Sequence, residues 1–215
     1  MKIAVLGTGV VGQTIASKLA SIGHEVRMGS RTAGNEKAVA WASDNGGSEG
    51  TFADAASFAE VVINCTGGAH TLAVLASAGP ENLAGKVLVD ISNPLDFSDG
   101  FPPSLLPFPE GSLAEAIQAA HPEALVVKTL NTVGAAIMVD PGQIPGHHEV
   151  FVSGNDPGAK ALVVGLLTAF GWLAPLDLGD ISTARGVESW LPFWARLYGA
   201  LGTGDFNIRI IRAEQ

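Results

Sequence analysis

Apolar residues in this chain come in short runs separated by stretches with helical spacing. "KIAVL" (2–6), "EVRMG" (25–29), "EVVINC" (60–65), "KVLVDI" (86–91) and "ALVVKTL" (124–130) are runs of strand length, rich in Val and Ile. Continuous apolar character, without alternation, is what strands buried on both faces show. "GTF" (50–52) adds a short third strand and "EVFVSG" (149–154) a later one. Between the runs, Val11, Ile15, Leu19 and Ile22 recur on one helical face, and helices follow over 36–42 and about 70–77. "SLAEAIQAAHP" (112–122) is a helix with Ser112 as N-cap and Glu115 completing a capping box. A further helix runs from Pro157, suited to a first turn, to Phe170. Strand–helix alternation of this kind predicts a doubly wound, Rossmann-type α/β fold with a mainly parallel sheet.

Two segments break the rhythm. "NPLDFSDGFPPSLLPFPEG" (93–111) is dense in Pro and Gly and reads as an ordered loop over the sheet. The last third carries an aromatic-rich helix, "SWLPFWARLYGAL" (189–201), and an alternating "FNIRIIR" (206–212) that suits a strand. Trp190, Phe193, Trp194 and Tyr198 repeat at helical spacing; they serve core or dimer packing, or line a pocket for a ring-shaped acceptor. The expected division is a nucleotide-binding domain over 1–148 and a small helix/strand appendage over 149–215, packed on it and completing the acceptor site.

Composition narrows the class. Hydrophobic residues make up 47% and charged residues 15%, enough apolar material for a large core. The net charge of −9 is unevenly spread. Residues 1–37 hold Lys2, Lys18, Arg27, Arg31 and Lys37 against Glu25 and Glu36, whereas only Lys86, Lys128 and Lys160 interrupt the acidic stretch 38–180. An acidic body argues against nucleic acid or an anionic membrane as partner. Cys65 is the single cysteine, so neither an internal disulfide nor a cysteine zinc cluster is expected, and His147 and His148 lack ligand-spaced partners for a metal. The opening residues have no signal-peptide shape and no run is long enough to span a bilayer, so a cytoplasmic protein is expected.

Gly7-Thr8-Gly9-Val10-Val11-Gly12 fits G-x-G-x-x-G in the required context, after a strand and at the start of an amphipathic helix. Gly7 allows the tight turn, Gly9 lets backbone approach a pyrophosphate, and Gly12 lets helix and strand pack closely. The residue that distinguishes dinucleotides falls near the end of the second strand. A carboxylate there would bind both ribose hydroxyls. This chain instead has Gly29, Ser30, Arg31 and Thr32, a guanidinium fork flanked by hydroxyls, which selects a 2′-phosphate and so NADP(H). The plainer alternative is a solvated surface arginine.

Ligands of open α/β sheets bind at the carboxyl ends of the strands. Those ends supply Cys65, Thr66, Gly67 and His70, then Asn93 and Pro94, then Asn131 and Thr132. Each group is either cofactor lining or a turn that uses Gly, Asn and Pro for conformation. Lys128, inside an apolar strand, must reach solvent or a carboxylate.

"KIAVLGTGVVGQTIASKLASIGHEV" with "GSR", and then "ISNPL" (91–95), "VVKTLNTVGA" (126–135), "VFVSGNDPGAK" (150–160) and "ARGVES…LPFWARLYG", resemble the NADP-dependent oxidoreductases related to coenzyme F420-dependent NADP reductase. They are similar also to the cytosolic reductase domain of six-transmembrane metalloreductases. The resemblance covers nearly the whole chain. It departs at "LGTG", where the archaeal F420 reductases carry "GGTG". It implies that Ser30 and Arg31 bind the 2′-phosphate, and that hydride passes between NADPH and F420 or a flavin. The cofactors carry that chemistry, so no catalytic side chain is expected. A small-molecule redox acceptor and a homodimer are the expected partners, and transmembrane electron transfer is not. Two other readings stay open: an NADPH-dependent reductase of a small carbonyl or imine, and an NADP-binding sensor without turnover.

Overall fold

A computed structural model describes residues 1–213. One eight-stranded sheet forms the centre, built from β1 (Lys2–Leu6), β2 (Glu25–Ser30), β3 (Ser48–Thr51), β4 (Val61–Asn64) and β5 (Val87–Asp90), then β8 (Leu125–Thr129), β9 (Phe151–Gly154) and β10 (Leu176–Gly179). β6 (Leu95–Asp96) and β7 (Ser104–Leu105) make a separate antiparallel pair. The sheet order is β10-β9-β8-β5-β4-β1-β2-β3, parallel throughout except between β8 and β9. The chain starts at β1 and winds outward first to β3, then from β4 in the other direction. The direction of winding therefore switches between β1 and β4, where open α/β sheets leave a crevice at their carboxyl edge.

Alternate strand residues point to opposite faces, so each face has its own core. On one, Ile3, Val5, Val26, Ile63 and Val89 meet Ile15 and Leu19 of α1 (Val10–Ser21), Trp41 of α2 (Glu36–Asn45) and Val163, Leu167 and Phe170 of α8 (Pro157–Phe170). On the other, Ala4, Leu6, Val62, Leu88 and Val126 meet α3 (Phe52–Phe58), α4 (Thr71–Ala78) and α6 (Leu113–Ala120). Each fully buried aliphatic side chain contributes about 1.5–3 kcal/mol over an exposed one, so these two layers fix the register of the sheet edge. The remaining helices are α5 (Pro80–Leu83), α7 (Ala135–Val139), α9 (Ala184–Ser189) and α10 (Leu191–Leu201). No helix among the described residues is long and apolar enough to cross a membrane.

Three expectations need correction. Residues 93–111 do contain regular structure, the β6–β7 hairpin, which Leu106 N–H extends by bonding the Pro94 carbonyl at 2.8 Å. Residues 206–212 form no strand: both edges of β9 are filled by β8 and β10, and the tail packs as irregular chain, with Phe206 stacked on Trp194, Asn207 bonded to His148 and to the Glu149 carbonyl, and the Ile208 carbonyl accepting the Glu149 N–H at 3.1 Å. At α6, Ser112 caps the helix as expected, but the Glu115 carboxylate takes the Ser112 hydroxyl at 2.7 Å and pairs with Arg185 instead of closing the box on backbone.

Candidate dinucleotide and acceptor site

The glycine turn between β1 and α1 has the geometry an anion needs. Gly7 sits at φ +118°, and its N–H bonds the Gly29 carbonyl at 3.0 Å, tying the turn to the end of β2. A Cβ at Gly12 would lie 2.1 Å from the Gly7 carbonyl oxygen, so helix and turn are in backbone contact there. Gly9 is different: a Cβ on it would meet nothing within 4 Å. It is the N-cap of α1, no side chain caps that end, and no acidic residue occupies the first turn. The unused N–H groups and the positive end of a twelve-residue helix thus open onto free space. Thr8 turns its carbonyl to Gln13 Nε2 at 2.9 Å, and Val10 is largely exposed.

At the end of β2, Ser30 is buried and its hydroxyl donates to the Thr32 carbonyl at 2.6 Å, bracing the turn under Arg31. Arg31 and Thr32 are exposed. Arg31 has no ion-pair partner among the described residues, whereas Lys128, Lys160 and Arg185 each have one. The turn is held from below by Glu49 on β3, whose carboxylate accepts the Gly34 N–H.

The switch-point crevice is a cleft of about 450 Å³ lined by Gly9, Val10, Val11, Cys65, Thr66, Gly67 and His70, with Asn93 on its far wall. A second hollow of about 260 Å³ continues from it, lined by Phe101, Asn131, Val133, Leu191 and Trp194. Val11, Asn93, Leu95, Phe97 and Met138 border both, so the two are halves of one groove. Cys65 is half-buried, and burial pushes its thiol up, with the Asp90 charge adding to the effect, so it stays a neutral thiol. Thr66 is fixed by its hydroxyl, which donates to Asn64 Oδ1 at 2.6 Å. Pro94 and Thr132 are buried and do not border the groove.

Under the groove runs a polar rung across the sheet. Asn64, Asp90, Lys128 and Ser153 occupy paired positions on β4, β5, β8 and β9. All four are buried. Lys128 Nζ lies 2.7 Å from Asp90 Oδ2 and 3.0 Å from Glu188 Oε1, and it also donates to the Ser92 carbonyl. Burial alone would lower its pKa; the two carboxylates outweigh that and raise it, so the group is a locked ammonium. Glu188 in turn accepts the Leu113 and Ala114 N–H groups at 2.8 and 3.0 Å, closing the start of α6.

The groove also draws on residues that no sequence motif marks. Phe97 and Phe101 come from the proline-rich hairpin and Met138 from α7. Leu130, which delivers Asn131 to the groove, is buried at φ +60°, the one non-glycine residue with positive φ among the described residues. No composition signal announces a leucine in that region; strain of this kind collects at ligand sites.

Comparison with known proteins shows the family and the fold. The family model for NADP oxidoreductase, coenzyme F420-dependent, matches residues 2–94. The chain is 33% identical over 228 residues to the F420-dependent NADP reductase of Methanocaldococcus jannaschii, covering 100% of both. It is 31% identical over 202 residues to Metalloreductase STEAP3 of Rattus norvegicus, covering 90% of this chain and 38% of that one. A crystal structure from Arthrobacter sp. FB24, provisionally named an F420-dependent NADP-reductase, superposes with a TM-score of 0.94 at 55% identity, covering 99% of this chain and 100% of that one.

Proposed function

The chain belongs to the F420-dependent NADP reductase family of NADP-dependent oxidoreductases, and we propose that it passes a hydride between NADP(H) and a second redox ring, F420 or a flavin. One observation carries this reading: the groove is continuous, with an anion-ready helix end in one half and an apolar, aromatic hollow in the other.

In this assignment Gly7, Gly9 and the first-turn amides of α1 hold the pyrophosphate, while Thr8, Val10, Val11 and Gly12 shape the turn. Arg31, with Thr32 and the Ser30-braced backbone, takes the 2′-phosphate. Cys65, Thr66, Gly67 and His70 form the wall for the nicotinamide riboside. Asn93 and Asn131 stand where the two rings would meet, and Pro94 and Thr132 stiffen those turns from behind. NADPH, when bound, would give the hydride to the second ring, and NADP+ would take it in the reverse direction. The chain's own task is to stack two rings within about 3–3.5 Å and exclude water. The apolar half suits that task, since the residues bordering it are apolar apart from two carboxamides and the Trp194 indole. Lys128 is committed to Asp90 and Glu188 and is not poised as a proton donor.

Residues 149–215 complete the acceptor site through Leu191, Trp194 and Ala195 of α10. The exposed Phe193 and Leu201 on the same helix support the homodimer expected from the aromatic-rich helix. A cytoplasmic location belongs to the same reading. The test is to mix the protein with NADPH and, separately, F420, FMN or FAD, following the reduced nicotinamide and the oxidised acceptor together. Matched loss of NADPH and acceptor is expected with at least one of them. Tight NADPH binding without oxidation by any acceptor would make the protein a sensor. Turnover confined to a small carbonyl or imine would make it a reductase of that class.

A further inference from the structure

Asn93 and Asn131, which both border the groove, bond each other twice. Asn131 Nδ2 donates to Asn93 Oδ1 at 3.0 Å, and Asn93 Nδ2 donates to the Asn131 backbone carbonyl at 3.0 Å. Asn131 Nδ2 spends its second hydrogen on the Val187 carbonyl, also at 3.0 Å. Because Asn131 Nδ2 faces two acceptors and Asn93 Nδ2 a third, the orientation of both amide groups is fixed by their partners. Counting valences then leaves two groups over. Asn93 keeps one N–H, and Asn131 Oδ1 accepts no hydrogen bond among the described residues. Both residues border the apolar half of the groove, and Asn93 borders both halves.

A spare donor and a spare acceptor on two mutually bonded residues of the groove match an amide edge presenting C=O and N–H together. We infer that Asn93 and Asn131 form an amide-reading pair at the junction of the groove. The inference rests on the proposed binding of NADP(H) and a second ring. Two ligand parts present this edge: the carboxamide of nicotinamide, and the imide edge of a flavin or deazaflavin. An apolar surround strengthens such a contact, since an unpaired polar group there is costly.

The buried cluster beneath explains how the pair is held. Lys128 grips the Ser92 carbonyl, and Asp90 Oδ1 accepts the Ser92 hydroxyl at 2.7 Å and the Ser92 N–H at 3.2 Å. The residue before Asn93 is thus fixed at its N–H, its carbonyl and its side chain. Glu188, bonded to Lys128, follows Val187, whose carbonyl receives Asn131. One ammonium therefore sets both members of the pair. Burying three charges is expensive, and what they add here is fixed positions: Glu188 holds the first N–H groups of α6, Asp90 the Ser92 N–H and hydroxyl, and Lys128 the Ser92 carbonyl. Lys128 and Glu188 are positioning residues.

The first test uses the unaltered protein. Binding of NADPH is compared with that of its acetylpyridine analogue, which keeps the carbonyl and lacks the amide N–H. In parallel, acceptor turnover is compared for lumiflavin and its N3-methyl derivative, which loses the imide N–H. A loss of about tenfold in one arm, the worth of one or two hydrogen bonds, is expected and identifies which amide is read. Equal behaviour in both arms would overturn the inference. Failure of NADPH to bind at all would instead remove the functional reading on which it rests. The second test is Glu188→Gln. The discrimination seen in the wild type should shrink several-fold, while the preference for NADPH over NADH, set at the far end of the groove, stays unchanged. Proportional loss of both preferences would show a merely structural role and would overturn the positioning claim.

Discussion

Asp90 and Lys128 face each other across β5 and β8 with Oδ2 2.7 Å from Nζ, and neither side chain reaches solvent. A charge pair at that depth is costly to break from one side only. Lys128→Met leaves Asp90 and Glu188 without their cation, and it should lower the unfolding free energy by about 3–5 kcal/mol in urea titrations. A change within about 1 kcal/mol would mean that the carboxylates find other partners.

Gly9 and Gly12 make opposite demands. Gly12→Ala places a methyl group 2.1 Å from a backbone oxygen and must shift α1, so thermal stability should fall by about 2 kcal/mol or more. Gly9→Ala meets nothing within 4 Å among the described residues and has a backbone that alanine adopts, at φ −78° and ψ −177°. Its stability should stay within about 1 kcal/mol of the parent while NADPH affinity drops, because the methyl group intrudes on the pyrophosphate. Calorimetric melting and coenzyme titration of both variants separate the two effects.

Leu130 inverts an ordinary ranking. In most buried positions glycine is worse than alanine. At φ +60° alanine strains the backbone by about 1–2 kcal/mol and glycine does not. Both variants lose the buried leucine side chain, yet Leu130→Gly should equal or exceed Leu130→Ala in stability by denaturant unfolding.

His121 gives the fold a pH dependence with a definite sign. It is 6% exposed, its Nδ1 has no hydrogen-bond partner among the described residues, and burial lowers its pKa below the ordinary 6.5. The unfolded chain therefore takes up the proton first. The stability is fully present above pH 6.5 and is lost as pH falls through the lowered folded value. His121→Gln should flatten the dependence between neutral and mildly acidic pH, measured by unfolding in matched buffers.

Much of the fold is legible in the chain because its central strands are apolar runs whose polar residues fall only toward their ends. β1, β4, β5 and β8 need no context: "KIAVL" or "KVLVDI" can only be buried on both faces. β10, "LDLG", has no β-branched residue and becomes a strand only because β9 offers it an edge. α3 begins on Phe52 directly after β3, so "GTF" (50–52), which has the look of one strand, joins a strand end to a helix start, with Thr51 as the Asp54-paired cap. The alternation in 206–212 has the right period, but no free strand edge awaits it. The groove followed the same rule. Gly9, Arg31 and Asn93 are marked by local motifs. Glu188 closes α6 from 74 and 75 residues away and reaches Lys128, a relation that no local pattern encodes.

The account depends most on Arg31 as the receiver of a 2′-phosphate. The direct measurement is the dissociation constants of NADPH and NADH for the wild type and for Arg31→Asp under one buffer and salt. The wild type should hold NADPH tighter than NADH by roughly 2–4 kcal/mol, and Arg31→Asp should remove that margin through repulsion. Equal affinities in the wild type, or an NADPH constant unmoved by the substitution, would contradict the account.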